Sequence, residues 1–173
     1  MVQENNNLPV EGEKNLVEMS ISDTAQFVTF HYGKHFFGLP IDDVIEINKA
    51  LDITPVPMAP EYVSGVVNLR GQILTAIDLA KRIGLSAKDF KVSEKKELHN
   101  VIMGNREEPV SLLVEEIGDV MSIPKDKISP PPDMIEGINL KYVDQVCKLE
   151  SRLLIILDSK SLEQAENNKN QGN

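Results

Sequence analysis

The sequence predicts an all-β chain arranged as two small closed barrels, and three observations carry that expectation. First, residues 62–78 repeat as residues 142–158 at an offset of 80, without a gap. Tyr62, Val63, Val66, Leu69, Leu74 and Asp78 recur as Tyr142, Val143, Val146, Leu149, Leu154 and Asp158, so one small β unit occurs twice. Second, the segments between the ends are short, alternate apolar with polar, and are punctuated by Gly and Pro. Third, about five such strands fall in each half, and closing them into barrels removes exposed edges more completely than a sandwich would.

The elements follow in order. Residues 1–23 are polar and acidic, which suits a flexible tail. Val28, Phe30 and Tyr32 alternate with Thr29 and His31, suiting a strand with one buried face. Gly33-Lys34 makes a turn, and Phe37, Leu39 and Ile41 continue the alternation as the second arm of a hairpin. Asp42-Asp43 interrupts, and Val44-Ile45-Glu46-Ile47 resumes. Pro55, Pro57 and Pro60 exclude a central strand or helix interior and mark a loop. A hairpin then runs from Gly65 to Ile77 around Arg70-Gly71, where a tight turn needs positive φ. On this reading Val66→Asp would bury an unpaired charge and damage the fold.

Asp78 fits a helix N-cap, Leu79 and Ile83 share one helix face, and Gly84 fits a stop. Residues 86–97 are the most polar internal stretch and suit a linker. A first barrel is therefore expected at about 24–85 and a second at about 98–164. The second has strands over 98–103, 110–114 and 117–123, a loop at Pro130-Pro131-Pro132, and a closing hairpin followed by a helix capped by Asp158. Residues 165–173 suit a second flexible tail.

Asp and Glu outnumber Lys and Arg by 27 to 18, a net charge of −9, which argues against a nucleic-acid footprint. The single cysteine, Cys147, lies in an apolar strand, matches Val67 in the other copy of the repeat, and suits a buried small residue. No secretory signal or membrane-length apolar run is visible, so a soluble cytoplasmic chain with no direct membrane insertion is expected.

Little in the sequence suggests bond-making chemistry. His31 and His35 flank a hairpin turn, so their spacing of four loses the meaning it has on a helix, and a solvated pair is expected. Adjacent Glu115 and Glu116 point to opposite faces of a strand and cannot act as a facing acid–base pair. No phosphate loop or nucleophile motif occurs. An enzyme or ligand-binding barrel using these groups stays open as an alternative. The informative difference is the turn. Asn68-Leu69-Arg70-Gly71 becomes Lys148-Leu149-Glu150-Ser151 in the second copy, so the fold does not demand arginine there. An exposed arginine beside a leucine is the kind of residue that anchors protein interfaces.

The run from Glu61 to Leu74, followed by Ile77-Asp78-Leu79, resembles the signature of CheW-like domains. Val44-Ile45-Glu46-Ile47, the stretch from Leu112 to Val120, and the closing hairpin from Tyr142 to Asp158 extend the resemblance over residues 24–164. Three positions depart from the family pattern: Thr75 for a proline in what is taken as an edge strand, Gln145 for a glycine, and Glu115 for an aspartate.

The resemblance implies two SH3-like five-stranded β-barrels packed side by side. It also implies a non-enzymatic adaptor without cofactor that couples methyl-accepting chemoreceptors to the histidine kinase CheA. Its partners would be the regulatory domain of that kinase and the hairpin tip of the receptor, with the chain monomeric alone and assembling into arrays with them. The same mechanism in a pilus-type system is an alternative. Arg70, Asn68, Gly71, Leu69, Val44 and Glu46 are the residues expected at the partner-binding surface.

Overall fold

The computed structural model describes residues 23–85 and 97–165; the expected tails and linker fall almost wholly outside them. Among the described residues twelve strands form: β1 (Thr24–Tyr32), β2 (His35–Pro40), β3 (Val44–Asn48), β4 (Ile53–Thr54), β5 (Val63–Leu69), β6 (Gln72–Asp78), β7 (His99–Met103), β8 (Val110–Val114), β9 (Glu116–Pro124), β10 (Ile128–Ser129), β11 (Val143–Lys148) and β12 (Leu153–Leu157). Two short helices, α1 (Leu79–Ile83) and α2 (Ser159–Glu163), follow the closing hairpins. Asp78 accepts from the Lys81 amide and Asp158 from those of Lys160 and Ser161, as N-caps do. Gly84 ends α1 in the left-handed region at φ 89°.

The strands form two six-stranded sheets, ordered β10-β11-β12-β2-β1-β9 and β3-β7-β8-β6-β5-β4. The two edge strands of each sheet are consecutive in the chain: β9 runs through a 3-10 turn at Lys125–Lys127 into β10, and β3 leads directly to β4. Counting each pair as one bent strand recovers the five-stranded SH3-like barrel.

The expected division into a barrel at about 24–85 and another at about 98–164 needs correction. The β1–β2 hairpin joins the sheet of β9–β12, through a parallel pairing of β2 with β12. The β7–β8 hairpin joins the sheet of β3–β6, through a parallel pairing of β8 with β6. Each repeat lends its first hairpin to the barrel of the other. Alternation within a segment tells which residues turn inward, but not which sheet receives them. The same topology puts Thr75 in a central strand, paired with both Val66 and Val110, and not at an edge.

Three apolar clusters result. Phe27, Phe36, Ile123, Cys147, Leu154 and Ile156 fill one barrel. Val67, Leu74, Ala76, Ile102 and Leu113 fill the other. The largest lies between them and takes Phe30, Phe37, Leu39, Ile77, Val101, Leu112, Ile155 and Leu157 among others. Strands β2, β7, β8 and β12 are therefore buried on both faces, which is why Leu153–Leu157 reads as an unbroken apolar run. The same arrangement buries Thr29 on the face of β1 expected to be polar, where its hydroxyl donates to the Asp119 carbonyl at 2.6 Å. Val67 and Leu69 are the β5 residues that pack into the barrel cluster; Val66, on the opposite face, is only half-buried, so Val66→Asp is not the severe test it was expected to be.

Polar ties also cross between the sheets. Asp78 bonds the Tyr32 hydroxyl; burial, and then the Asp78 and Glu115 charges, push that phenol above its ordinary range. Ser159 donates to Asp43 at 2.6 Å, joining α2 to the β2–β3 turn.

Candidate functional site

The β5–β6 hairpin is closed by two residues, since Leu69 pairs with Gln72. Arg70 and Gly71 both have positive φ, at 52° and 88°, the signature of a type I′ turn. Glycine adopts this freely, whereas a side chain there costs energy. Asn68 holds the turn, its Oδ1 accepting from the Gly71 amide at 2.9 Å. In the second copy Glu150 and Ser151 have no positive φ, and the turn closes through the Leu149 amide on the Arg152 carbonyl at 2.9 Å. The geometry of the Arg70 turn belongs to the first copy alone.

From this tip Arg70 Nη1 donates to Glu46 Oε2 at 2.6 Å. Glu46 lies on β3, an edge strand that is not a ladder neighbour of β5 or β6, so the pair spans the seam of the barrel. Asn48, two residues on and therefore on the same face, donates to the other carboxylate oxygen at 2.6 Å. The Arg70 hydrogen bond, and then that of Asn48, hold the Glu46 carboxyl below its usual range; Glu46 in turn raises the Arg70 guanidinium. The Arg70 side chain is 73% exposed and that of Glu46 25%. The guanidinium has five N–H donors, and the bond to Glu46 engages one of them. Ile47 and Ile73, on the strands that carry the pair, are exposed apolar residues.

Four of the six expected residues thus form one arrangement: Arg70, Glu46, Asn68 and Gly71. Leu69 packs inward against the cluster of its own barrel. Val44 packs against the shared core, across an irregularity in the β3–β7 register from Glu46. Asn48 was not anticipated, although its period-two spacing from Glu46 is a readable signal.

The histidines are not a solvated pair. Both are half-buried. The His31 ring packs on Phe36 with centroids 4.7 Å apart, and Arg152 Nη1 lies 3.0 Å from His31 Nε2 while its guanidinium stacks 3.7 Å over Phe36. Glu115 Oε2 accepts from the Gly33 amide at 3.0 Å, while Glu116 is exposed opposite His31. Among the described residues no group of three or more His, Cys, Asp or Glu is placed to hold a metal ion.

The second unanticipated residue is Arg82. It is 4% exposed and donates through Nη2 to the carbonyls of Ser161, at 3.1 Å, and Gln164. Its counterpart at an offset of 80 is Leu162, also buried, and that comparison is the signal that marks Arg82 as an inward-facing position.

Comparison with known proteins decides the family. The family model for the CheW-like domain matches residues 26–166. The chain belongs to the CheW-like family. The chemotaxis protein CheW of Treponema pallidum (strain Nichols) is 32% identical over 143 residues, covering 82% of this chain and 84% of the relative. That of Rhizobium meliloti (strain 1021) is 30% identical over 138 residues, covering 79% and 86%. The crystal structure of the scaffolding protein TtCheW from Thermoanaerobacter tengcongensis superposes with a TM-score of 0.72 at 30% identity, over 82% of this chain and 94% of that one. This CheW-like chain is accordingly a chemotaxis scaffold protein and not an enzyme. Among the described residues no helix is long and apolar enough to cross a membrane.

Proposed function

We propose that this chain couples chemoreceptors to the histidine kinase CheA in the cytoplasm, and that the Arg70 turn faces the receptor. One observation carries the assignment of the site. A cation is held at a strained turn, exposed at its tip and fixed by Glu46, in the one copy of the repeat that has it. The second copy closes its hairpin with Glu150 and without positive φ, so the repeat does not require an arginine in a left-handed conformation at this place, which supports a role beyond closing the turn. The exposed donors suit a carboxylate or a row of backbone carbonyls on a partner helix.

Two calorimetric titrations test the reading. One adds the regulatory domain of a CheA from the same source; the other adds a receptor cytoplasmic hairpin fragment. Saturable binding at about one to one is expected in both, with Arg70→Ala weakening the receptor titration and sparing the kinase one. Absence of binding by folded proteins would reject the adaptor role. Equal weakening of both titrations would reject the receptor-facing placement.

A further inference from the structure

We propose that Asn48 is a positioning residue of the partner-binding site, acting on Arg70 through Glu46. The inference rests on the reading that the Arg70 turn meets a partner, and adds a residue that sets how well it does so.

The geometry is a three-member relay across the barrel seam. Asn48 Nδ2 donates to Glu46 Oε1 at 2.6 Å, and Arg70 Nη1 donates to Glu46 Oε2 at 2.6 Å. A carboxylate with only one oxygen engaged can rotate about its last torsion and swing its free oxygen away. With both oxygens engaged the carboxylate plane is fixed, and the guanidinium that depends on it is fixed too. The relay has a firm base. Asn48 is half-buried and pairs with Asn100 of β7. Asn100 is buried, accepts from Ser111 Oγ at 2.8 Å and donates to the Lys49 carbonyl at 3.2 Å, clamping the end of β3. The order runs from a buried anchor to a half-buried amide, to a carboxylate, and ends at the exposed arginine.

The functional consequence is preorganisation. A long cationic side chain at a turn tip samples many rotamers, and a partner must freeze it on binding. Glu46 removes that freedom beforehand, and Asn48 makes Glu46 able to do so. Loss of the Asn48 donor should leave the fold and Arg70 itself in place while weakening partner affinity.

The test uses Asn48→Ala in the full chain, with Asn48→Val, strand-favouring and also without a donor, if alanine lowers stability. Two readouts are made on the free protein by NMR: the titration of the Glu46 carboxyl, and the hydrogen exchange of the Arg70 guanidinium. Both variants should return Glu46 toward the ordinary carboxyl range and speed guanidinium exchange. A third readout is affinity for the receptor hairpin fragment, with an expected loss of about five- to tenfold. In a Glu46→Ala background the Asn48 change should do nothing further, because its route runs through Glu46. Asn48→Gln, which keeps an amide donor, should recover part of the affinity. Unchanged Glu46 and Arg70 signals, or an equal affinity loss in the Glu46→Ala background, would overturn the positioning role. Failure of the wild-type chain to bind the fragment, with the free-protein shifts as expected, would instead count against the receptor-facing reading alone.

Discussion

The guanidinium of Arg82 lies 4.1 Å from the centroid of the Tyr62 ring. Tyr142, the repeat of Tyr62, lies 5.2 Å from it. Two tyrosines that each copy of the repeat supplies in the same place thus share one arginine that only the first copy has. The cation is buried, yet its charge is met by ring faces and by the carbonyls of Ser161 and Gln164. Arg82 itself, through the Ser161 and Gln164 carbonyls, therefore fastens α1 to α2 and the residue that follows it.

Removing this arginine should be costly. Arg82→Ala leaves two carbonyls without a donor and a void between aromatic rings, and a loss of about 3 kcal/mol is expected. Arg82→Met keeps the aliphatic stem in the ring contacts and should lose less. Urea denaturation of the two variants checks both the size and the order of the losses. A cost below about 0.5 kcal/mol for alanine would show that the guanidinium contributes no net stability.

Gly65 and Gln145 occupy the same place in the two copies, and both sit at a register irregularity in a closing hairpin. Only Gly65 has positive φ, at 147°, and a Cβ there would stand 2.2 Å from the Thr54 carbonyl oxygen. That oxygen belongs to backbone and cannot step aside. Gly65→Ala should therefore cost about 3 kcal/mol, while Gln145→Gly should cost no more than about 1 kcal/mol through added chain freedom. Thermal melts of the two variants measure the asymmetry; equal losses would mean that the first copy relaxes around a side chain as easily as the second.

What the sequence disclosed follows from local physics. The Asp78 and Asp158 caps, the Gly84 stop and the Arg70-Gly71 turn depend on residues close in the chain, and each is where the sequence puts it. The exchange of hairpins depends on which apolar face meets which, and Phe37 looks the same whether its partner strand is β12 or another. Thr29 misled, and Arg82 went unnoticed, for a related reason. Polar residue types stand for exposure only until a partner carbonyl is supplied from elsewhere in the fold. In the site, Arg70 stood out through comparison with Glu150. Asn48 did not, because the repeat offers no equivalent contrast at β3.

Glu163, at the end of α2, is held above the ordinary carboxyl range, first by burial and then by the charges of Asp43 and Asp158. A Cβ on Gly104 would stand 2.6 Å from its carboxylate, so it lies against the β7–β8 turn. The native state thus binds the Glu163 proton more readily than the unfolded chain does. The ionised carboxylate opposes folding at neutral pH, and the penalty disappears as pH falls through the raised native value to below the unfolded one. Glu163→Gln should raise Tm at pH 7 by about 2 °C, a small effect because solvent screens a partly exposed group. The difference from wild type should shrink as the pH is lowered toward 4. A variant melting at or below the wild-type temperature at pH 7 would contradict this sign.

The exchange of hairpins makes a stronger demand on folding. If each half of the chain were a barrel of its own, a fragment ending in the 86–96 segment would fold alone. Here the fragment 23–85 would hold β3–β6 without the β7–β8 hairpin that completes their sheet, and β1–β2 without the sheet they complete. Phe30, Phe37 and Leu39 would lose the shared core they enter with Val101, Leu112 and Ile155, which come from the other fragment. Neither half retains enough buried apolar surface to offset the entropy of ordering it. Each fragment alone should give the narrow amide dispersion of an unfolded chain, and mixing the two should restore the dispersed spectrum of the intact protein. Native-like dispersion in the 23–85 fragment by itself would mean that its strands can pair within the half, and that the exchange of hairpins is a choice the fold makes late rather than a condition for folding at all.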